Sequence, residues 1–382
     1  MVLGFLDQMR KVPDHRIPGM TTYPLDEVLL ATLVAVVCGA DDWEEVEGVA
    51  EGALDWLRGF LPFGEGVPSA QTFRKVFRLI DSRALSESFA AWVASARRAA
   101  RGAAARETVA REIVAREIVA IDGKTLRGSK TAKDGTGALH LVSAYATRAG
   151  LVLAQRAVDG KSNEITAIPE LLDMLALEGA VVTIDAMGTQ KAIAARIADK
   201  KADYVLALKG NQCGLRDDAV LYLDDPAFAA QGGRAAETDA GHGRVEERRC
   251  RAVDAAWLAE RHPGWRNLRS LAEIEAVRTD KKTGAESRET RLYISSLEPD
   301  PKAILDAVRS HWGIENSLHW TLDVTFDEDR CRTRKDRSAL NLAVIRHAAL
   351  NILKTDASKG SIRKKRIKAC VDPRFRSSLL AY

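Results

Sequence analysis

Between residues 118 and 208 the sequence alternates short apolar runs of β-forming residues with helical apolar patterns, and this alternation constrains the fold most. Three strand-like runs come first, and then helix, strand, helix and strand follow in turn. The predicted strands cover residues 118–122, 139–146, 151–158, 181–185 and 204–208, and the predicted helices cover 163–177 and 189–198. This order predicts an α/β fold in which helices cover a mixed sheet.

The segments on either side of this region have different patterns. Residues 1–105 carry several short helical patterns and little strand signal, which indicates a small all-α N-terminal domain with DNA binding as a candidate role. Three tandem five-residue units begin at Arg106, Arg111 and Arg116, and the last one runs into the first predicted strand. We interpret residues 106–116 as a repeat-containing linker without a function of its own. Residues 211–297 contain polar alternating runs and predict a β-rich insertion. Residues 298–353 return to helical patterns, so that the predicted α/β core comprises 117–210 and 298–353.

Charge is distributed unevenly along the chain. The formal net charge of the whole chain is +4, but residues 330–382 contain 15 Lys and Arg against 3 Asp and Glu, a local charge of +12. The remainder therefore carries 4 − 12 = −8. We predict a basic C-terminal tail over residues 354–382, and clustered cations of this kind attract a polyanion such as nucleic acid.

Neither a membrane span nor a disulfide framework is expected. The longest apolar run covers residues 28–40, and its 13 residues are too few to cross a bilayer. The five cysteines are odd in number and scattered, at Cys38, Cys213, Cys250, Cys331 and Cys370. This usage fits a reducing cytoplasm, and we expect a cytoplasmic protein without a membrane partner.

Three carboxylates stand at positions that suit a reaction site. Asp122 and Asp185 each follow a predicted buried strand, and strand ends are where sites form in α/β sheets. Glu315 lies in a third segment, on a predicted helix over residues 302–323 together with His311 and His319. We expect Trp312 and Trp320 to be buried on one side of that helix and to direct Glu315 toward the core.

Three converging carboxylates predict a cation site, because they could not all stay ionised in a partly buried place without one. Hard oxygen ligands suit Mg²⁺ or Mn²⁺, and two such ions could promote the cleavage of a phosphodiester. The spacing of His311, Glu315 and His319 also allows a zinc site, which we rank lower because it leaves both aspartates unused.

Several motifs resemble the DDE transposases of bacterial insertion sequences, in the branch that includes the H-repeat-associated proteins. Before the core, the matching pieces are Tyr23-Pro-Leu-Asp-Glu, Val37-Cys-Gly-Ala, Gly66-Val-Pro-Ser and Thr72-Phe. Within the core they are Ile121-Asp-Gly-Lys-Thr-Leu-Arg-Gly, Lys161-Ser-Asn-Glu-Ile, Asp185-Ala and Leu208-Lys-Gly-Asn-Gln. The most specific block begins with His311-Trp-Gly-Ile-Glu-Asn-Ser-Leu-His-Trp and continues through Leu322-Asp-Val to Phe326-Asp-Glu-Asp.

The resemblance implies a ribonuclease-H-like core with a five-stranded mixed sheet, flanking helices and a β-rich insertion between the second and third acids. It assigns Asp122, Asp185 and Glu315 as the catalytic and metal-binding residues of an enzyme that uses two Mg²⁺ ions, or Mn²⁺. The implied reaction is DNA cleavage at the terminal inverted repeats of a transposon, followed by strand transfer into target DNA. It also implies a homodimer on DNA, in the bacterial cytoplasm at the nucleoid.

Candidate DNA contacts follow from position and charge. Related enzymes carry Tyr, Arg and Lys around the final glutamate, where this sequence has Val308, His311 and Leu322. Either His311 or the basic cluster at residues 330–335 is expected to substitute for the phosphate contacts of those residues. The full set of predicted DNA contacts is Lys124, Arg127, Lys161, Lys209, Asn211, His311, His319, Arg330, Arg332, Arg334, Lys335, Arg363, Lys364, Lys365, Arg366 and Lys368.

Two other functions remain open at the level of sequence. One is a catalytically inactive DNA-binding remnant of a mobile element, in which DNA binding would survive replacement of all three acids. Retention of the three acids disfavours it, since clustered negative charge does not help a protein to bind DNA. The other is a nuclease of the same fold that selects branched DNA by its structure.

Overall fold

The computed structural model describes residues 2–107, 116–130, 137–158, 163–226, 231–241 and 243–380. The repeated units over residues 108–115 and the predicted DNA contact Lys161 lie outside the described residues.

The N-terminal part of the chain is helical, as the sequence predicts. Its helices are α1 (Val2–Met9), α2 (Leu25–Val37), α3 (Trp43–Gly52), α4 (Leu54–Leu57), α5 (Ala70–Leu79) and α6 (Ser82–Glu107). Asp42 caps α3 and Ser69 caps α5, because each side chain accepts a hydrogen bond from the backbone three residues on. Every residue of α2 except Asp26 is buried, so the longest apolar run of the sequence is a core helix. In the described part of the chain, no helix has both the length and the apolar character that crossing a bilayer requires.

The central sheet begins with the five strands predicted from the sequence. They are β1 (Ile118–Leu126), β2 (Leu139–Ala146), β3 (Leu151–Val158), β4 (Val181–Ile184) and β5 (Asp203–Leu208), and they lie in the order β3-β2-β1-β4-β5. β1, β4 and β5 are parallel, whereas β2 is antiparallel to both β1 and β3. The helices α7 (Glu164–Asp173) and α8 (Lys191–Asp199) make the crossovers on either side of β4. This arrangement confirms a ribonuclease-H-like α/β fold.

The first strand is longer than predicted. β1 continues past Asp122 to Leu126, because its second half pairs with β2 from Ser143 to Leu139. Asp122 therefore lies within a strand and not at its end. It is nevertheless the first residue beyond the parallel pairing with β4, which ends at Ile121 and Ile184.

The strands of the predicted insertion extend the predicted five-stranded core sheet at its β5 edge. After α9 (Cys213–Asp224) come β6 (Gly233–Gly241), β7 (Arg244–Asp254), α10 (Ala256–Arg261), β8 (Ser270–Asp280) and β9 (Glu286–Ser295). β9 pairs antiparallel with β5, and the result is one nine-stranded sheet that continues as β5-β9-β8-β7-β6. Without β9, β5 would present an unpaired edge, and strand pairing is the usual way to satisfy such an edge.

The chain returns to the core through α11 (Pro301–Ile314), which packs against β1 and β4. A π-helical turn (Glu315–His319) and α12 (Trp320–Thr325) continue the same helical segment, close to the predicted range 302–323. α13 (Ser338–Thr355) follows, and 14 of its 18 residues are buried because it packs against α2, α5, α6 and β3. It is the element that joins the N-terminal helices to the sheet.

The C-terminal residues are not a free tail, which corrects the prediction for 354–382. They form α14 (Ile362–Val371) and α15 (Pro373–Leu380), and both helices pack against α13. α14 also packs against α2, and Trp56 donates a hydrogen bond to Ser377 of α15. Of the 15 basic residues after position 329, four are buried: Arg346, Lys365, Arg366 and Arg376. Part of the local positive charge therefore holds the fold together.

Candidate active site

Asp122 and Asp185 occupy matching positions on neighbouring parallel strands. Ile121 pairs with Ile184 in the register of β1 and β4, and an aspartate follows each of them: Asp122 within β1, and Asp185 directly after the end of β4. The turn after β4 is fixed by Asp185, whose Oδ1 accepts hydrogen bonds from the backbone of Met187 at 3.1 Å and Gly188 at 3.2 Å. One carboxylate oxygen of Asp185 thus shapes its own loop, as an Asp at the start of a turn commonly does.

Glu315 comes from the π-helical turn, a rare local structure that is often found at functional sites. Its side chain is 52% exposed and so remains accessible from solvent. The prediction that Trp312 and Trp320 are buried is wrong, because they are 43% and 59% exposed. Trp312 instead lies beneath the Arg291 guanidinium, which is 5.7 Å from the centroid of its ring. The packing of α11 against β1 and β4, and not the tryptophans, brings Glu315 to the sheet.

Three side chains converge at this point: Asp122, Glu315 and His319 each offer one ligand atom, and these atoms all lie within 4.8 Å of one another. His319 Nδ1 is 3.7 Å from Asp122 Oδ2 and 3.7 Å from Glu315 Oε2. Burial, reinforced by the negative charge of Glu315, raises the pKa of Asp122 to about 8. A divalent cation bound between these two acids would stabilise their ionised forms.

A cleft of about 780 Å³ unites the predicted acids, because Asp122, Asp185 and Glu315 all line it. His311 lies between them, and its Nδ1 is 2.9 Å from the Thr183 hydroxyl of β4. Burial lowers the pKa of His311. Within the described residues, the group of candidate metal ligands includes neither His311 nor Asp185. The zinc arrangement that pairs His311 with Glu315 and His319 is therefore not formed, and Asp185 shares the cleft with the other two acids without joining their cluster.

A second pair beside Asp122 was not identified from the sequence. Glu164 Oε1 lies 2.6 Å from His140 Nε2, and His140 Nδ1 lies 2.8 Å from the Thr125 hydroxyl. The pair packs over Gly123, where a Cβ would lie 2.6 Å from His140 Nε2 and would also collide with Glu164. The charge of Glu164 adds to the raised pKa of Asp122. The signal was present in the sequence, because Glu164 belongs to the Lys161-Ser-Asn-Glu-Ile motif.

A half-buried lysine, Lys354, contacts the π-helical turn on the side of α13. Lys354 Nζ of α13 donates to the Ser317 carbonyl at 2.9 Å and to the Tyr145 hydroxyl at 2.7 Å. Its ammonium also lies 4.7 Å from the centroid of the Tyr145 ring. Burial lowers the pKa of Lys354 to about 8. No sequence pattern indicated this contact, because Lys354 was predicted to be the first cation of a basic tail.

Lys124 has a structural partner in place of the predicted phosphate. Its ammonium pairs with Asp323 and, at 2.7 Å, with Glu328, and its side chain is only 11% exposed. Glu328 is itself buried, and the charge of Lys124 contributes to a lowered pKa of that carboxyl. The pair therefore ties β1 to the loop that follows α12. Asn211 is likewise engaged, because its amide donates to the Ala186 carbonyl at 2.6 Å.

Burial divides the other predicted DNA contacts into two groups. The prediction is wrong for Lys365 and Arg366, because both are buried and neither presents its charge to solvent. Lys365 pairs with Asp356 at 3.0 Å, and Arg366 pairs with Asp41 at 2.8 Å. The exposed group comprises Arg127, Lys209, Arg330, Arg332, Arg334, Lys335, Arg363, Lys364 and Lys368.

The residues present fit a divalent cation. His319 Nδ1 lies 3.7 Å from a carboxylate oxygen of Asp122 and 3.7 Å from one of Glu315, and both distances are too long for hydrogen bonds. Carboxylate oxygens and a neutral imidazole are ligands that Mg²⁺, Mn²⁺ and related ions accept. The raised pKa of Asp122 indicates that no protein cation balances the acids fully.

The sequence matches two protein-family models. The model described as "Transposase DDE domain" matches residues 114–352, which is more than half of the chain. A second model, described as associated with that domain, matches residues 6–93 and so covers most of the N-terminal helices.

Relatives match along the full length. "Putative transposase YncI" of Escherichia coli O157:H7 is 38% identical over 100% of this chain and 95% of its own length. "H repeat-associated putative transposase YhhI" of Escherichia coli K12 is 34% identical over 98% of this chain and 97% of its own. A solved piggyBac transposase synaptic complex with hairpin DNA aligns with a TM-score of 0.40 at 12% identity, over 100% of this chain and 77% of that one.

A ribonuclease-H-like sheet with acids from two parallel strands and a later helix defines a protein of the DDE class. The chain belongs to the DDE-domain transposase family, together with the H repeat-associated relatives.

Proposed function

We propose that the protein is an active transposase, which cleaves DNA strands at transposon ends and transfers them into target DNA. The observation that supports this most is the meeting of Asp122, Asp185 and Glu315 in one open cleft, although Glu315 is 130 residues from Asp185 in sequence. A chain without a reaction has no physical need to assemble acids from a strand, a strand end and a helix.

The proposed cofactor is Mg²⁺, or Mn²⁺, as two ions held by Asp122, Asp185 and Glu315. Bound there, the ions would lower the pKa of the attacking water or 3′-hydroxyl and stabilise the charge on the leaving oxygen. The residues themselves provide in-line positioning, which is most of what phosphoryl transfer asks of a protein. We propose that His311, which lines the cleft and is held by the Thr183 hydroxyl, contacts a phosphate of the substrate.

The proposed partner is DNA, as terminal inverted repeats and as target. Lys209 lines the cleft, and exposed arginines continue along the loop from Arg330 to Arg334. These side chains are suited to the phosphate backbone, which positions a duplex without reading its sequence. We further propose that two copies act as a dimer on DNA, each cutting one transposon end, in the bacterial cytoplasm at the nucleoid.

The direct test is nicking of a synthetic duplex that carries the inverted repeats flanking the gene, with the purified protein and Mg²⁺. Asp122→Asn, Asp185→Asn and Glu315→Gln should each lower the nicking rate about 100-fold or more, since losing a ligand should cost at least as much as losing one of its supporting contacts. The matched control is Asp55→Asn, which removes a fully exposed carboxylate in α4 and should leave the rate unchanged.

The outcomes separate the alternatives. Binding without nicking, in the wild type and in all three variants, would identify a DNA-binding remnant. Cleavage of branched DNA regardless of its terminal sequence would identify a structure-selective nuclease. Nicking that survives Asp122→Asn would overturn the assignment of the site.

A further inference from the structure

His319 is the residue of the acidic cluster whose position is least explained by packing alone. It is 6% exposed, yet its Nδ1 faces the carboxylates of Asp122 and Glu315 at 3.7 Å from each. These separations are equal and exceed hydrogen-bond length, so the imidazole is directed toward both oxygens without binding either. Two carboxylate oxygens and one imidazole nitrogen that face a common space form a donor set that can bind a cation.

The second ring nitrogen of His319 also supports a role in binding a cation. His319 Nε2 is buried and has no hydrogen-bond partner in the described part of the chain, and the same holds for Glu328 Oε1. A histidine that binds a metal through one nitrogen commonly presents the other to a carboxylate or to an ordered water.

A structural histidine would look different. The buried His347 of α13 packs against Phe89, with ring centroids 6.4 Å apart and the rings tilted by 40°. Its Nδ1 also lacks a hydrogen-bond partner among the described residues, so an unpartnered nitrogen alone does not distinguish His319. His311 is held by the Thr183 hydroxyl. His319 differs from both because it faces Glu315, a half-exposed carboxylate, from a buried position on the same turn.

We propose that His319 is a direct metal ligand, which together with Asp122 and Glu315 binds one of the two ions and makes that ion prefer Mn²⁺ to Mg²⁺. This inference rests on the proposed function, because it concerns the cofactor of the same site. Mg²⁺ favours all-oxygen ligands, whereas Mn²⁺ also accepts imidazole nitrogen and binds a given site more tightly when nitrogen is present. Asp122 and Asp185 remain available for the other ion.

The test uses the full-length protein without DNA and reads the metal itself. Mn²⁺ is added, and electron spin echo modulation is recorded, since a ¹⁴N nucleus bound directly to Mn²⁺ modulates the echo. The wild-type spectrum should contain this nitrogen signal, and labelling the histidines with ¹⁵N should change it. Because the measurement is made on the wild type, it does not depend on the folding of any variant.

Two matched variants assign the signal. His319→Gln replaces the nitrogen ligand with an amide that still offers an oxygen, so the nitrogen signal should disappear. Mn²⁺ affinity should then fall about tenfold or more, while Mg²⁺ affinity changes much less. His311→Gln, in the same cleft, should keep the nitrogen signal.

The remaining outcomes would each overturn the proposal, and they distinguish a failure of the His319 role from a failure of the proposed metal site. Mn²⁺ binding that Asp122→Asn abolishes, but without a histidine nitrogen signal, would overturn the role of His319 and leave the proposed function standing. If the nitrogen signal is lost in His311→Gln and kept in His319→Gln, the metal ligand is His311, and the proposal for His319 is overturned. Mn²⁺ binding that Asp122→Asn leaves unchanged would overturn the proposed metal site as a whole.

Discussion

At the scale of single residues, the motif that follows Asp122 is explained mostly by close packing. Gly123 leaves room for the Glu164 and His140 pair, and Gly128 leaves room for the loop that carries the basic cluster. A Cβ on Gly128 would lie 2.7 Å from the Asp329 carbonyl and would also collide with that of Cys331. The Gly128 carbonyl in turn accepts a hydrogen bond from Arg334 at 2.7 Å. Two short motifs distant in sequence are thus packed backbone to backbone.

Gly128→Ala should therefore destabilise the protein. The new methyl group meets backbone atoms that cannot rotate away, and overpacking of this kind costs about 1–3 kcal/mol. Urea unfolding followed by circular dichroism measures the change. Gly48→Ala in α3 is the control, since its methyl group meets nothing within 4 Å and alanine is the better helix former. Equal stability of the two variants would contradict the packing described for Gly128.

At the scale of elements, the π-helical turn is the feature that sequence patterns could not supply. The sequence places Glu315 and His319 on one helix correctly, but a local change of hydrogen bonding within a helix leaves no periodic signal. The burial of the flanking tryptophans was mispredicted for a related reason, because hydrophobicity alone does not show which face of α11 meets the sheet. Lys354, from a helix 37 residues later, holds the turn through the Ser317 carbonyl.

Lys354→Met should impair the reaction without impairing DNA binding. The methionine fills the space but leaves the Ser317 carbonyl without its ammonium donor, so the turn that carries Glu315 loses a fixed contact. We expect kcat for nicking to fall about tenfold or more, by analogy with the loss of supporting contacts in metal sites. KM for DNA should change little. Lys359→Met, at an exposed position between α13 and α14, is the control, and an equal loss of kcat there would remove the positioning role of Lys354.

At the scale of the whole molecule, the order of elements was the most predictable property. Five strands, their crossover helices and the strands of the insertion follow from apolar periodicity, and the ribonuclease-H-like arrangement is confirmed. Two long-range properties were missed, the continuity of the sheet through β9 and the docking of α14. Both depend on contacts between distant segments, which charge and periodicity do not record. The charge count could not distinguish Arg366, which is buried, from Lys364, which is exposed.

The two cations on α14 should respond differently to substitution, because replacing Arg366 should lower stability whereas replacing Lys364 should weaken DNA binding. Arg366 bonds to Asp41 and to the carbonyls of Val36 and Ala40, and its guanidinium lies 4.3 Å from the centroid of the Phe326 ring. Arg366→Met should lower the free energy of unfolding by about 2–4 kcal/mol, a range reduced because Asp41 is partly exposed and can be hydrated. Thermal unfolding at several protein concentrations measures this change.

Lys364→Met should leave stability unchanged and weaken DNA binding. Loss of one phosphate contact should reduce the slope of log affinity against log salt by about one unit. Fluorescence anisotropy with a labelled duplex at several salt concentrations measures that slope. An unchanged slope would show that α14 does not contact DNA through Lys364.

The backbone pairing of β9 with β5 determines how the cleft can open. Four consecutive residue pairs, from Val205 with Ser295 to Leu208 with Leu292, join the two strands. Arg291 and Tyr293, which form one wall of the cleft, are therefore carried by the same continuous sheet as Asp122. This wall cannot move away from the rest of the sheet unless the backbone hydrogen bonds between β9 and β5 break. For the proposed DNA substrate, entry of a wide double helix would then require movement of α9 or α11, which also line the cleft, or distortion of the nucleic acid itself.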